Sequence, residues 1–177
     1  MNVLRLILEI CLLRGKPQDL PTSLGLLALT ALAGVAVDSL SLSSQEFSLA
    51  QLLFVLFQVA LFGGGLWLVL RLRGFAARWI QTATALYAAN ALFSLLLLPL
   101  LPALEQMLKA GPDSAPGWQG YVLLFVSGWF LAVMARVLRE AIEASMLVSF
   151  LISLGLIFVV RVAGMVTAPL FGITAEL

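Results

Sequence analysis

The sequence contains no histidine and a single cysteine, Cys11, in 177 residues. Without histidine the chain lacks the commonest metal ligand and the commonest general base, which excludes Ser-His-Asp chemistry and the usual zinc sites. A lone cysteine excludes an internal disulfide. Charge is scarce as well: 11% of residues are charged, against about 25% in a soluble domain. Ten Lys and Arg against nine Asp and Glu leave a net charge of +1, so there is no basic field of the kind nucleic-acid binding needs. Nucleic acid is not an expected partner, and no cofactor is expected.

Apolar side chains fill the space these absences leave, at 62% of the chain. Each charge is costly at the centre of a bilayer, and a spanning helix needs about 20 mostly apolar residues, so the charges act as punctuation. Between Asp19 and Asp38 lie 18 uncharged residues, between Glu46 and Arg71 lie 24, between Arg78 and Glu105 lie 26, and between Asp113 and Arg136 lie 22. A last apolar stretch follows Glu143 and is interrupted only by Arg161. The expected fold is an all-α membrane protein: a bundle of five transmembrane helices preceded by an N-terminal interfacial amphipathic helix. It forms one membrane domain over 1–177, with the interfacial helix at 1–16 and spans at about 20–38, 48–70, 79–101, 118–137 and 144–170.

Orientation follows from the basic residues, because positively charged loops are retained in the cytoplasm. Arg5, Arg14 and Lys16 precede the first span, Arg71, Arg73 and Arg78 join the second and third, and Arg136 and Arg139 join the fourth and fifth. The opposite loops hold Asp38, Glu46, Glu105 and Asp113 against Lys109 alone. The amino terminus is expected inside and the carboxyl terminus outside. In the first dozen residues, Asn2, Arg5 and Glu9 recur at helical spacing, which suits a helix lying in the interface. Glu9 inside the apolar stretch, with Arg14 and Lys16 after it, does not suit a cleaved signal peptide. Lys16-Pro17-Gln18-Asp19-Leu20-Pro21 should then break the helix. A short interfacial helix is expected around Leu104, Met107 and Leu108.

Polar residues inside apolar helices are the candidates for function. Gln58 and Asn90 fall near the middle of their spans, where they could bond each other. An interhelical clamp worth about 1 kcal/mol is the preferred reading over a polar path. Arg161 should reach the outer interface by snorkelling or pair with Asp38, Glu46 or the outer loop. Gly63-Gly64-Gly65 reads as close helix packing ahead of a hinged gate. Arg136 with Glu140, and Arg139 with Glu143, have the i,i+4 spacing of a salt-bridged helical turn. Arg71, Arg73 and Arg78 form a basic rim suited to anionic lipid headgroups. Cys11 reads as a buried thiol ahead of a lipidation site.

The order of parts resembles the bacterial branch of the Yip1 membrane family. The likeness is carried by Arg71-Leu72-Arg73-Gly74-Phe75, then Trp79-Ile80-Gln81 and Ala85-Leu86-Tyr87-Ala88-Ala89, with Pro99, Trp118 and Gly128 in support. The Asp-Leu-Tyr-Gly-Pro-type signature of eukaryotic members is absent, so no vesicle-trafficking role is carried over. The resemblance implies a five-helix bundle of a bacterial inner membrane that works through lipids or other membrane proteins and has no assigned catalytic residues. The expected function is therefore a non-catalytic assembly, scaffold or accessory component, as a homo-oligomer or with other membrane proteins. A small transporter or channel subunit built around Gln58 and Asn90 is the alternative.

Overall fold

The computed structural model describes residues 2–41, 48–103 and 117–172. Within them the chain is all-helical. A short helix, α1 (Val3–Cys11), precedes five longer ones: α2 (Leu24–Ser41), α3 (Leu49–Leu72), α4 (Trp79–Leu97), α5 (Trp118–Ile142) and α6 (Met146–Thr167). The last four, with their terminal turns, are long and apolar enough to cross a membrane, and α2 is apolar but shorter. The expected interfacial helix at Leu104–Leu108 lies outside the described residues, as do Glu46, Glu105, Lys109 and Asp113.

Helix ends follow local chemistry. Asn2 Oδ1 accepts from Leu4 N at 3.1 Å and so satisfies a free amide at the start of α1. A capping box starts α3: Ser48 Oγ accepts from Gln51 N at 3.1 Å, and Gln51 Oε1 accepts from Ser48 N at 3.0 Å. Gly74, at φ +82°, lets the chain turn out of α3 in a conformation that a side chain would strain. Pro99 and Pro169 sit in the 3₁₀ turns that extend α4 and α6, where a residue without an N–H tightens the last turn. Between α1 and α2, Lys16 and Leu20 are extended around a single 3₁₀ turn, Pro17–Asp19, and α2 starts only at Leu24.

The bundle is organised around α4. All eight residues from Thr82 to Ala89 are buried, and α4 packs most extensively against α2, and also against α5, α1 and α3. Ala83, Ala85, Ala88 and Ala89 make that possible, because small side chains let helix backbones approach closely on every side. Leu66 and Leu70 of α3 and Val133, Met134 and Leu138 of α5 complete the core around it. On the far side, α6 rests on α5 and α3 and leaves Leu147, Leu151, Phe158, Met165 and Val166 exposed.

α1 is three-sided. Leu6, Ile7 and Ile10 are buried, Leu4, Leu8 and Leu12 stand exposed beside them, and Asn2, Arg5 and Glu9 share the remaining side. Arg5 Nε pairs with Glu9 Oε1 at 2.8 Å. Half of the helix's apolar arc is therefore covered by α4 and α5 and half is left open.

Candidate functional site

Polar side chains inside the bundle form two groups. In the first, Asn90 Nδ2 donates to Asp38 Oδ2 at 3.1 Å, joining α4 to α2. This corrects two expectations. Asp38 lies within α2, which runs on to Ser41, and Asn90 bonds Asp38 rather than Gln58. The reason is packing together with charge: α2 is the most extensive neighbour of α4, and a carboxylate is a stronger acceptor than a neutral amide. Gln58 is turned to α6 instead, with its amide against Gly164, where a Cβ would come within 3.1 Å of both terminal atoms.

The glycine run is divided among neighbours. A Cβ on Gly63 would collide with the Tyr87 hydroxyl of α4, one on Gly65 would come within 3.0 Å of Leu156 of α6, and one on Gly64 would meet nothing. Tyr87 Oη donates to Val59 O at 2.8 Å, and Trp79 Nε1 donates to Gly63 O at 3.0 Å. Two aromatic residues of α4 thus clasp α3 at its glycines, and α3 remains one continuous helix across them.

The second group gathers at the end of the bundle where α1 lies. Arg78 donates to Ala141 O at 3.0 Å and Glu140 O at 3.4 Å, and its guanidinium pairs with Glu143 Oε1 at 2.6 Å. Gln18 Nε2 donates to Glu140 O at 2.6 Å, while Gln81 Nε2 donates to Gln18 O at 3.0 Å and Leu20 O at 2.7 Å. The carbonyls that end α5 have no partner within the helix, and they attract positive charge. Arg78 supplies that charge and Gln18 a second donor, so the α1–α2 linker, the α3–α4 turn and the end of α5 become one knot. Glu143 ends α5 in the left-handed region at φ 52°.

This knot replaces the expected i,i+4 pairs. Glu140 faces Lys16, at 3.9 Å, rather than Arg136, and Glu143 pairs with Arg78 rather than Arg139. Both carboxylates are drawn away from their own helix by cations that approach from other elements. Arg136 Nε and Gln18 Oε1 are buried without hydrogen-bond partners.

The three arginines named as a rim differ in their surroundings. Arg71 and Arg73 are exposed, with the Arg71 guanidinium 4.8 Å from the centre of the Trp67 ring. Arg78 is half-buried in the knot and lies over Phe75 at 4.6 Å. Arg161 is exposed on α6 and forms no ion pair among the described residues. Burial pushes the Cys11 thiol up to about 11, and its backbone carbonyl accepts from Trp129 Nε1 at 2.8 Å, fastening α1 to α5.

Gln18, Gln81 and Trp129 were not singled out from the sequence. Gln81 carried a signal: a long amide one turn into an apolar helix needs a partner, and here the partners are the carbonyls of the proline-broken linker. No group of three or more metal-ligating side chains occurs among the described residues. The arrangement ties helices together with polar groups. Comparison with models of protein families, with curated proteins and with solved structures finds no match.

Proposed function

We propose that this chain is a non-catalytic component of a membrane assembly, with five spans, α2 to α6, and with α1 lying in the interface. α2 is the shortest span, at 18 residues or about 27 Å of helix. On this reading the amino terminus and the polar knot face the cytoplasm, the carboxyl terminus faces outward, and the membrane is a bacterial inner membrane. The likeness to the Yip1 family, carried by the Arg71–Phe75 turn and the Tyr87-Ala88-Ala89 step, supports the same architecture.

One observation carries the functional part. Four polar side chains inside the bundle reach from one helix to another: Asn90 to Asp38, Tyr87 to Val59, Trp79 to Gly63, and Gln58 against Gly164. Polar groups used this way hold a shape and leave no connected polar lining between them. Large apolar faces, above all on α6, are left for lipid or for other membrane proteins. Extraction in mild detergent followed by mass analysis tests this. A homo-oligomer or a stoichiometric membrane partner is expected, and a strictly monomeric, partner-free species would defeat the proposal. Tags at the two ends should report opposite compartments.

Asp38 favours a second reading. A carboxylate in an apolar helix is unusual, and such groups mark ion and proton paths. As a small transporter or channel subunit, the protein would bind a cation or proton at Asp38 and Asn90. Flux in proteoliposomes that is lost in both Asp38→Asn and Asn90→Leu would support this reading, and flux unchanged in both would remove it.

A further inference from the structure

We propose that the seam between α1 and α5 binds one acyl chain of an anionic phospholipid, with its headgroup held by Arg14 and Arg136. The inference rests on the membrane reading above and extends it to a defined site.

The seam holds an open apolar groove of about 360 Å³, lined by Leu13, Leu124, Phe125, Gly128, Trp129 and Ala132. Its long wall is a single stripe of α5, because Phe125, Trp129, Ala132 and Arg136 follow one another at spacings of three and four residues. Gly128 opens the floor: a Cβ there would meet no atom within 4 Å. The other wall is the turn after α1, where Leu13 takes φ +62° and the Trp129 indole is fixed by its bond to Cys11 O.

Charge and depth select the occupant. Arg136 continues the stripe one turn past Ala132, and its Nε is buried with no hydrogen-bond partner. Arg14, next to Leu13, is exposed and forms no ion pair among the described residues. The nearby acidic groups are already engaged: Glu9 by Arg5, Glu140 by Lys16, and Asp19 by the Lys16 amide. Trp129 lies about 10 Å along α5 from Arg136, the depth at which an interfacial helix meets acyl chains. From Ala132 to Leu124 the groove follows about 12 Å of helix toward the bilayer interior. Two unengaged cations at the headgroup end and an apolar trough below them match an acidic phospholipid better than a zwitterionic one.

Native mass spectrometry of the full chain, purified with equal phosphatidylglycerol and phosphatidylcholine, tests the site. One phosphatidylglycerol should be retained in preference to phosphatidylcholine. Arg14→Gln and Arg136→Gln should each lower that preference about fivefold. Gly128→Leu should fill the groove and expel the lipid while helix content and elution volume stay unchanged. Equal retention of the two lipids by the native chain would overturn the proposal, as would native-like retention by Gly128→Leu or an undiminished preference in both arginine variants. Release of the chain from membranes by alkaline carbonate would instead defeat the membrane reading itself, so the two failures are distinguishable.

Discussion

α4 and α6 are both apolar helices of similar length, yet they occupy opposite environments. The apolar 18-residue stretch around α4 has a mean hydropathy of 1.8 and is 33% buried, whereas that of α6 has a mean hydropathy of 2.4 and is 17% buried. In a water-soluble protein the order would be reversed, since burial there follows hydrophobicity. When hydrocarbon surrounds the bundle, the outermost helix can be the most hydrophobic, and the central helix is chosen for small side chains and for polar groups that find partners. Ala83, Thr84, Tyr87 and Asn90 at the centre, against Leu151, Phe158 and Val166 outside, express that rule.

The largest test of this contrast is at Gly63. Gly63→Val drives a side chain into the Tyr87 hydroxyl and should cost about 3 kcal/mol by overpacking, whereas Gly64→Val should stay within about 0.5 kcal/mol beyond its helix-propensity effect. Gly63→Val in a Tyr87→Phe background should recover much of the loss, and unfolding in detergent across the double-mutant cycle would show it. If Gly63 and Gly64 respond alike, the clasp between α3 and α4 is not what holds the centre.

Next in size is Cys11, between the covered and the open sides of α1. With its thiol pushed from 9.0 up to about 11, its thiolate fraction at neutral pH should be about a hundredfold lower than in the denatured chain. Alkylation rates measured against pH in the two states check this. The sign is fixed by linkage: the unfolded chain ionises first, so this contribution to stability is intact below pH 9 and is lost as pH rises toward 11.

A smaller effect is expected at the knot. Arg78→Gln removes a partly exposed cation from the end of α5 and should cost about 1–2 kcal/mol, read as a lower unfolding midpoint. Arg139→Gln on the same turn should be close to neutral. Smallest of all, Leu151→Ala on the open face of α6 should change stability by less than about 0.5 kcal/mol. A cost comparable to a core truncation there would mean that α6 is covered by something other than lipid.

That the chain folds into long apolar helices was legible because charges and prolines punctuate an apolar sequence sharply. Side-chain partners were not. Asp38 reads as a loop residue because a carboxylate usually ends an apolar helix, but Asn90 gives it a partner and α2 continues past it. For Glu140 and Glu143, sequence spacing exposes only the i,i+4 neighbours on their own helix. Lys16 and Arg78, distant in sequence, reach them through the fold. In helices apolar on every side, periodicity does not say which face turns toward which neighbour, and that information decides the site.

The end of α5 is closed by Arg78, which lies 65 positions earlier in the chain than its partner Glu143. During synthesis the arginine leaves the ribosome long before the helix it will cap exists, and Gln18 waits longer still. The polar seal at this end of the bundle is therefore made late, when the α5–α6 hairpin docks. A chain truncated before Glu140 would leave Arg78 and Gln18 without the carbonyls that receive them and the bundle open at this end.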